Sequence, residues 1–548
     1  MSSKPRKQYF IATPIYYVND KPHIGHCYTT MLADAAARYH RFAGRDVFFL
    51  TGTDEHSERV ARAGHKRGLS PMEWATQNAT AFQDAFRELR FTNDDFIRTT
   101  EPRHIDRVVA CVQQLLDQGD IYEGDYEGWW DATQEEYVTE NTAREHEYKS
   151  PVTGKPLVKH TEKNDFFRLS DYSDRLLKHI NDNPGFIKPE ARRNEVLGRI
   201  KQGLQDVPVS RADTPGDPAA GWGIPMPNGS GRRIYVWIDA LLNYYTANED
   251  RKERTGVDHW PPSVNLVGKD ILWFHAVIWP CLLMALDKPL PDCVYAHSYW
   301  IREGRKMSKS LGNFLDLPTL RGYIKRYGLD AMRWYLLTQG PLGATDADFA
   351  HSKFIEVYNA HLANGIGNAF SRVSNMIGKY FEGNIPAPCD GALNSEDFDW
   401  PEISSQHVKM ACDAARAFDF PNVFHIGSTL SRTVDGFIHK TEPFKLAKDP
   451  SRLNEVGDIL YHCAEALRIA SLFLYPALPD AMSELWRRMG LSINPEQESS
   501  DGSRLFDLAK WGGLRPGARI EKGNALFPRA DPDEPPPDPI PAPPLPPQ

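Results

Sequence analysis

The chain contains 548 residues, of which 41% are hydrophobic and 25% are charged. With a mean hydropathy of −0.51, this composition is typical of a globular protein of three or four domains at roughly 150 residues each, and it excludes a single small module. Lysine and arginine total 64 against 73 aspartate and glutamate residues, a net charge of −9. A basic coat over the whole surface is therefore excluded, and any contact with RNA must be local.

The cysteines and the N-terminus indicate a reduced, cytoplasmic protein. The seven cysteines are scattered and include no CxxC pair, which excludes a legible disulfide framework or thiolate zinc site. The apolar stretch from Tyr9 to Ala12 is too short for the core of a signal peptide. The most apolar stretch, Ile271 to Leu286, is shorter than the ~20 residues that cross a bilayer, so it is predicted to be a core helix.

The N-terminal sequence predicts a strand, a helix and a second strand. Gln8 to Thr13 is typical of a buried strand, a helix is predicted from about His26 to Phe42, and Asp46 to Leu50 is predicted as the next strand. This unit indicates an α/β fold with a doubly wound parallel sheet, whose ligands bind beyond the carboxyl ends of the strands. Thr13 to His26 and Thr51 to His56 would lie there.

The pattern then changes twice along the chain. From about Tyr122 to Ile234 the sequence is polar and rich in turns, which predicts a domain inserted into the sheet. A strand at Ile234 to Ile238 and a helix from about Asp270 would resume the α/β pattern. After about Phe349 the sequence is mostly helical, and apolar residues recur at helical spacing from Leu453 to Ala470, which predicts a helical bundle.

The tail from Asp531 to Gln548 has an unusual composition, with ten prolines in eighteen residues. Such a segment cannot bury a core of its own, so it is predicted to be extended or disordered. The alternative is a proline motif that docks on a partner.

Pro22 to His26 reads PHIGH and lies between the first predicted strand and the helix. His23 and His26 would share one face at the positively polarised N-terminus of the helix, and Gly25 between them permits a ligand to approach closely. This arrangement suits a polyphosphate. Taken alone, the motif would more often be two surface histidines in a turn.

A second basic motif, Lys306 to Ser310 (KMSKS), lies in a glycine-flanked loop near the end of the resumed α/β region. Taken alone, Lys306 and Lys309 would usually be a solvated pair. Nucleotidyl transfer, however, requires cations and hydrogen-bond donors where phosphate oxygens gain charge, and two histidines with two lysines supply them without a protein nucleophile. Together the two motifs indicate a site for one nucleoside triphosphate.

The PHIGH and KMSKS motifs resemble the signature motifs of class I aminoacyl-tRNA synthetases. Four longer segments are similar to the methionyl-tRNA synthetases of that class, namely Ala12 to His26, Leu50 to His56, Tyr235 to Tyr244 and Leu266 to Pro280. The resemblance extends from about residue 8 to residue 528. It implies a Rossmann-like doubly wound sheet split by an inserted domain and followed by an α-helical bundle, in a methionine–tRNA ligase.

The resemblance also implies a division of the chain into six segments. In order, they are the first half of the nucleotide-binding domain at 1–117, an inserted connective domain at 118–233, the second half of the nucleotide-binding domain at 234–300, the KMSKS loop with a segment that contacts the tRNA stem at 301–360, a helical anticodon-binding domain at 361–528 and a disordered proline-rich tail at 529–548.

In the reaction that the resemblance implies, the carboxylate of methionine attacks the α-phosphorus of ATP and pyrophosphate leaves. The methionyl adenylate then acylates the terminal ribose of tRNA(Met). His23 and His26 would stabilise the phosphate charge, while Lys306 and Lys309 would close over the pyrophosphate in the transition state. Mg²⁺ is implied as well, because the charge of ATP must be neutralised during transfer.

The resemblance assigns substrate contacts by position. The residues that would line the methionine site are Ile15, Tyr17, Asp54, Trp237, Ala240, Tyr244 and His275, with the Asp54 carboxylate facing the substrate ammonium. Those that would contact ATP are Gly25, Gly268, Lys269, Asp270 and Lys309. Any one of the aromatic residues could instead belong to the core, and Leu241 stands where many relatives have proline. An apolar pocket discriminates one missing methylene by only ~1–3 kcal/mol, so slow activation of homocysteine is expected.

The chain departs from many relatives in the inserted domain. Where they place zinc ligands, this chain has Asp131, Gln134, Ser150 and Thr153. Of these only Asp131 is an ordinary zinc ligand, so no structural zinc is expected. Hydrogen bonds and the packing of Trp129, Trp130 and Tyr137 are expected to hold this knuckle instead.

In the bundle, Asn368 and Arg372 match the anticodon-reading pair of the family, although they could also be an ordinary solvated helix pair. Phe444 stands where relatives usually have tryptophan, and a phenyl ring can still stack on an anticodon base. The sequence shows no β-barrel extension of the kind that dimerises some relatives, so a monomer is expected.

Two other functions fit parts of the pattern. A non-catalytic paralogue that binds tRNA or methionine as a sensor or scaffold would have no physical reason to keep His23, His26, Lys306 and Lys309. A ligase for leucine, isoleucine or valine is a nearer alternative, but those relatives are much longer, carry large editing insertions and match the pocket segments poorly.

Overall fold

The structure is a computed structural model of the chain and describes residues 7–131, 136–138, 140–307, 314–389, 398–496 and 504–541. Among these residues, no helix combines the length and the apolar character needed to cross a membrane.

The N-terminal region begins with the predicted unit of two parallel strands and a helix. Its elements are β1 (Gln8–Tyr17), α1 (Ile24–Phe42), β2 (Asp46–Asp54), α2 (Glu58–His65), α3 (Pro71–Glu88), β3 (Asp95–Arg98) and α4 (Pro102–Gln118). Along β1, Tyr9 and Ile11 enter one hydrophobic cluster, whereas Phe10 and Ala12 enter another. Since successive strand residues face opposite sides, both faces of the sheet are covered, as a parallel sheet requires.

The region from residue 121 to 234 consists mainly of short strands and helices. They are β4 (Ile121–Asp131), β5 (Glu136–Val138), α5 (Glu140–Glu145), β6 (Val158–Phe167), α6 (Ser173–Asp182), β7 (Ile187–Lys188), α7 (Glu190–Ile200), β8 (Val207–Pro208), β9 (Ser210–Arg211) and β10 (Arg233–Ile234). β4 and β6 form a long antiparallel pair that β5 and β8 extend into a sheet of four strands.

The knuckle at the tip of this sheet is stabilised by hydrogen bonds among the described residues. The Ser150 hydroxyl accepts the N–H groups of Val152 and Thr153 at 3.3 and 3.0 Å. The Trp129 indole donates to Glu140 at 2.6 Å and packs on the Tyr148 ring at 4.5 Å. Gln134 lies outside the described residues. Zinc-free folding of the knuckle stays a prediction, although the described part of the chain contains no cluster of three or more potential metal ligands.

The chain then completes the main sheet. The elements are α8 (Val236–Leu241), α9 (Asn243–Thr255), β11 (Val264–Gly268), α10 (Trp279–Ala285) and β12 (Val294–His297). The sheet has the strand order β3-β2-β1-β11-β12-β7, with all neighbours parallel. β7 forms one edge of this sheet, although it lies within the predicted inserted segment. Part of that segment therefore belongs to the main sheet.

The strand predicted at Ile234 to Ile238 is wrong beyond Ile234. A helix begins at Val236, and every residue of α8 is buried. A short apolar run that is buried on all sides has no amphipathic period, so its pattern cannot distinguish a strand from a helix.

After the sheet, a small three-stranded sheet and two helices precede the bundle. These are β13 (Trp300–Arg302), β14 (Arg305–Lys306), α11 (Leu317–Tyr327), α12 (Leu329–Gln339) and β15 (Ala347–Phe349). The bundle contains α13 (His351–Val357), a π-helical turn at Tyr358–Gly367, α14 (Asn368–Tyr380), α15 (Trp400–Arg416), α16 (Phe420–Thr441), α17 (Pro443–Leu446), α18 (Leu453–Leu474), α19 (Pro479–Arg488) and α20 (Arg504–Leu508). The predicted apolar stripe lies on α18, which is the central helix and is almost entirely buried.

The proline-rich tail was predicted to be extended or disordered, and residues 530–541 follow the first alternative. This part of the tail is extended and packs along α11 and the turn that follows α13. Asn359 exchanges two hydrogen bonds with the backbone of Ala530, and Pro318 accepts the N–H of Ile540 at 2.8 Å. Residues 530–541 are ordered because they pack on these helices, although they form no core of their own.

Candidate active site

A cleft of about 540 Å³ opens at the carboxyl ends of β1, β2, β11 and β12. All seven residues predicted for methionine line it, namely Ile15, Tyr17, Asp54, Trp237, Ala240, Tyr244 and His275. Five predicted nucleotide contacts or catalytic residues line the same cleft, namely His23, Gly25, His26, Gly268 and Asp270. The fold therefore brings residues from distant parts of the sequence to one place.

His23 and His26 cap the N-terminus of α1 with their own side chains. The Nδ1 atom of His23 accepts the N–H of Gly25 at 3.1 Å, and the Nδ1 atom of His26 accepts the N–H of His23 at 3.2 Å. A backbone N–H can only donate, so each neutral ring carries its proton on Nε2. The rings lie 3.8 Å apart between centroids, so two neighbouring donors are available at a helix N-terminus.

Burial keeps both histidines neutral. It lowers the pKa of His23 to about 4, and burial with the proximity of His23 lowers the pKa of His26 well below its usual range. The rings of Tyr16 and Phe82 pack on His26 at 4.8 and 5.1 Å. At neutral pH the two side chains therefore offer hydrogen bonds rather than full positive charges.

The segment that follows the KMSKS loop contacts these histidines. Phe314 lines the cleft and packs edge-on against His23 at 4.9 Å, and Leu315 accepts the N–H of Ile24 at 3.1 Å. Asp316 forms a β-bridge with His23. Lys306 ends β14, whereas Lys309 lies outside the described residues. The predicted meeting of both motifs on one triphosphate thus stays a prediction.

The methionine end of the cleft is aromatic and rigid. Trp237 stacks on Phe274 at 3.8 Å and meets the edge of Tyr17 at 6.0 Å. The Nδ1 atom of His275 donates to the Ile271 carbonyl at 2.9 Å, which leaves Nε2 to accept the Tyr244 hydroxyl at 2.8 Å. Burial lowers the pKa of His275 to about 4, so it stays neutral. Such a wall suits an unbranched apolar side chain with a polarizable sulfur.

The charged group of this end is Asp54, at the last position of β2. Its side chain is 2% exposed and lies in the same cleft as Trp237 and Ala240. A carboxylate in such a protected position favours a substrate ammonium, because the low local dielectric strengthens the attraction.

The nucleotide end is formed by the turn after β11. A Cβ on Gly268 would come within 2.6 Å of a carboxylate oxygen of Asp270, so a larger residue there would displace the Asp270 side chain. Lys269 does not line the cleft. It forms an ion pair with Asp346 at 2.6 Å and lies over the Tyr299 ring at 4.8 Å.

Several lining residues were not identified from the sequence. His297, at the end of β12, faces the cleft and its Nε2 atom lies 2.8 Å from the Thr29 hydroxyl. Tyr299 and Phe314 also line the cleft. The position of His297 at the carboxyl end of a parallel strand was a usable signal.

The residues predicted for the anticodon lie on the bundle. Asn368 is exposed at the start of α14, and Phe444 on α17 is 41% exposed. Arg372 forms an ion pair with Asp435 on α16 at 2.7 Å. Burial raises the pKa of Asp435, although the Arg372 guanidinium opposes this shift.

Comparison with known proteins gives one family. The family model described as "tRNA synthetases class I (M)" matches residues 9–146 and 141–374. The methionine–tRNA ligase of Halalkalibacterium halodurans is 42% identical over 97% of this chain and 80% of its own length. That of Streptomyces coelicolor is 41% identical over 96% of this chain and 97% of its own length.

Solved structures give the same result. Mycobacterium tuberculosis methionyl-tRNA synthetase in complex with methionyl-adenylate superposes with a TM-score of 0.86 at 30% identity, and the match covers 95% of this chain and all of that one. The apo form of the same enzyme superposes with a TM-score of 0.80.

Proposed function

Because the chain belongs to the methionine–tRNA ligases of the class I tRNA synthetases, it is an enzyme that joins methionine to tRNA, and we propose that the cleft at the carboxyl ends of its strands is where it forms methionyl adenylate. The observation that carries this proposal is the presence in one cleft of two preorganised N–H donors, a buried carboxylate and an aromatic apolar wall.

In the proposed first step, the methionine carboxylate attacks the α-phosphorus of ATP and the bond to pyrophosphate breaks. The Nε2–H groups of His23 and His26 donate to phosphate oxygens as these gain charge. Their Nδ1 atoms are already committed to the helix cap, so the donors need no reorganisation during the reaction. Lys309, with Lys306, neutralises the leaving pyrophosphate.

Methionine binds with its ammonium on Asp54 and its thioether among Tyr17, Trp237 and Ala240. Ile15, Tyr244 and His275 complete the pocket. The ribose and adenine lie toward Gly25, Gly268 and Asp270, and Lys269 supports this end through its ion pair with Asp346. This division of the cleft follows the two chemically different ends described above.

Mg²⁺ enters as part of the ATP substrate. The described residues contain no group of three potential ligands for a resident ion, and Mg²⁺ is generally held by substrate phosphates, waters and one or two carboxylates. Asp270 in the cleft is such a carboxylate. The chemistry that Mg²⁺ supplies is neutralisation of the phosphate charge.

For tRNA(Met), we propose that Phe444 stacks on an anticodon base and that Asn368 and Arg372 contact its edges, with the enzyme acting as a cytoplasmic monomer. Phe444→Ala should raise the KM for tRNA about tenfold, since stacking on one base contributes ~1–3 kcal/mol, while methionine activation is unchanged. Phe506→Ala is the matched control, because Phe506 is 39% exposed on α20. Equal effects of the two variants would exclude Phe444 as an anticodon contact.

The test of the activation site is amino-acid-dependent exchange of pyrophosphate into ATP, with all twenty amino acids and homocysteine. Methionine should give the fastest exchange and homocysteine a slow but detectable one. Lys309→Ala should lower kcat by roughly a hundredfold or more, with little change in KM for methionine, because the lysine acts mainly in the transition state. Lys325→Ala, an exposed lysine on α11, is the control. Full exchange by Lys309→Ala would refute the role of this lysine.

A further inference from the structure

A buried carboxylate bridges two imidazoles directly behind the cleft. One oxygen of Asp239 lies 2.7 Å from Nδ1 of His56, and the other lies 2.7 Å from Nε2 of His104. The three side chains are 1%, 7% and 0% exposed, respectively. Nothing in the first step described above uses any of them.

The two imidazoles keep this carboxylate ionised. Burial alone would raise the pKa of Asp239, but the contacts with His56 and His104 lower it to about 2. A carboxylate only accepts hydrogen bonds, so both ring nitrogens that face it carry hydrogen. A buried charge satisfied in this way fixes the geometry of its partners, since removing either partner leaves a costly unpaired group.

The position of Asp239 connects the two parts of the methionine site. Asp239 lies on α8 between Trp237 and Ala240, which line the cleft, and His56 follows two residues after Asp54. α8 has only six residues and no side-chain cap, so tertiary contacts must fix it. The His56–Asp239 hydrogen bond is therefore a direct link between the thioether wall and the ammonium-binding carboxylate.

Further contacts fix both histidines of this link. The His104 ring contacts the Thr246 hydroxyl at 2.8 Å through Nδ1, which joins α4 to α9. Glu55, which precedes His56 in the chain, is fully buried and accepts two hydrogen bonds from Arg98 at 2.8 and 3.0 Å. The Trp222 indole donates to the Glu55 carbonyl at 2.8 Å and its ring meets the His56 ring edge-on at 5.4 Å.

We propose that Asp239 is a positioning residue that sets the distance between the ammonium-binding Asp54 and the thioether wall formed by Trp237 and Ala240. It thereby determines the affinity for methionine and the preference for methionine over homocysteine, which lacks the methyl group on sulfur. This inference rests on the proposed function of the cleft. Asp239 touches no substrate; it acts through His56 and α8.

The test is Asp239→Asn, which keeps the size of the side chain. Its amide nitrogen is a donor, so the imidazole that it faces must either change tautomer to become an acceptor or lose its bond. We expect the KM for methionine to rise about tenfold and the methionine-to-homocysteine preference to fall several-fold. The KM for ATP and kcat should stay within about twofold, because His23, His26 and Asp270 lie on other elements.

A matched variant separates positioning from general stability. Asp458→Asn alters another fully buried carboxylate beside a histidine, at 3.4 Å from His462, but within the bundle. It should lower thermal stability without changing the KM for methionine. Equal changes in the KM for methionine and ATP in Asp239→Asn, or a change in stability alone, would overturn the proposal.

If Asp239→Asn does not fold, His56→Gln tests the proposal instead. It breaks only the hydrogen bond between His56 and Asp239 and leaves the one between His104 and Asp239 in place. It should raise the KM for methionine selectively. In the double variant the KM should be no higher than in the more affected single variant, since both changes break one link. Failure of the wild-type protein to exchange pyrophosphate with methionine would refute the proposed function instead, independently of these comparisons.

Discussion

At the scale of single residues, the two histidines of the PHIGH motif combine a structural task with a chemical one. Each ring uses Nδ1 to cap the helix, which orients Nε2–H toward the cleft. Gly25 favours this arrangement, since a Cβ there would lie 3.0 Å from Cε1 of the His23 ring and would push the ring aside. The same side chains that begin the helix therefore supply the donors for a phosphate.

This double role can be separated by two substitutions of His26. Asparagine places an oxygen near the position of Nδ1, so His26→Asn should keep the cap and lose the donor. We expect it to fold normally while kcat for pyrophosphate exchange falls about 10²- to 10³-fold, as for the loss of one preorganised donor. Exchange kinetics and the melting temperature measure the two effects.

Glutamine reaches instead to the position of Nε2. His26→Gln should retain more activity than His26→Asn and should lose about 1 kcal/mol of stability through the missing cap. If the asparagine variant is fully active, or if the two variants are indistinguishable, His26 does not donate to the reacting phosphate.

At the scale of elements, the tail at 530–541 acts as a strap across α11 and the π-helical turn. The Asn359 side chain, 9% exposed, donates to the Ala530 carbonyl and accepts its N–H, both at 2.9 Å. Tyr358 donates to the Pro528 carbonyl at 2.7 Å and His351 contacts the Glu534 carbonyl at 2.8 Å. Side chains of the helices thus supply the hydrogen-bond partners that the backbone of the proline-rich segment lacks within itself.

Asn359→Ala should release this strap. The substitution leaves two backbone groups of Ala530 unpaired, which costs about 1–3 kcal/mol for each buried group. Hydrogen exchange at 530–541 and in α11 should become faster, whereas Asn375→Ala, an exposed asparagine on α14, should leave it unchanged. Unaltered protection in the Asn359 variant would show that the tail is held by other contacts.

The sequence predicted the elements that had a second signal besides their apolar residues, namely bounding turns for β1 and β2 and helical spacing for α1 and α18. β1, α1 and β2 have the predicted order, and α18 carries the predicted apolar stripe. The strand predicted at Ile234 to Ile238 failed because α8 is buried all round. For residues 530–541 the sequence could not decide between an extended and a disordered segment, because composition reports only what a segment can bury by itself, whereas the partner of Ala530, Asn359, lies 171 residues earlier.

The location of the candidate site could be predicted from the sequence. Strand ends of a parallel sheet converge by topology, so motifs after β1, β2 and β11 had to meet. The roles of Lys306 and Lys309 stay predictions. The hydrogen bonds of Asp239 could not be predicted, because no sequence pattern connects His56, His104 and Asp239, which only the tertiary structure brings together.

At the scale of the whole molecule, α12 joins the catalytic sheet to the bundle. Arg333 on this helix pairs with Asp34 of α1 at 2.8 Å and donates to the Pro476 and Ala477 carbonyls. One turn earlier, Asp330 accepts the N–H of Ala481 at 2.7 Å and so caps α19, which has no side-chain cap of its own. The helix that carries His26 is thus tied to the bundle through two charged residues of α12.

Asp330 makes this junction sensitive to pH. Burial, with the nearby Asp480, raises its pKa to about 7, although the Ala481 N–H, Arg333 and Arg38 oppose the shift. A carboxyl whose pKa is raised on folding stabilises the protein most fully below its unfolded pKa of 3.8, and this contribution is lost as the pH rises through 7. Between pH 5 and pH 8 the folded state should therefore lose roughly 3 kcal/mol through this group.

Asp330→Asn should remove this loss. The amide oxygen can still accept the Ala481 N–H and carries no charge, so the stability advantage of the variant over the wild type should grow by roughly 3 kcal/mol between pH 5 and pH 8. Urea unfolding followed by tryptophan fluorescence at the two pH values measures the difference. Asp480→Asn, an exposed carboxylate paired with Arg90, should change stability by less than about 1 kcal/mol. A wild type and an Asp330→Asn variant that lose the same stability between pH 5 and pH 8 would show that Asp330 is already ionised at the junction.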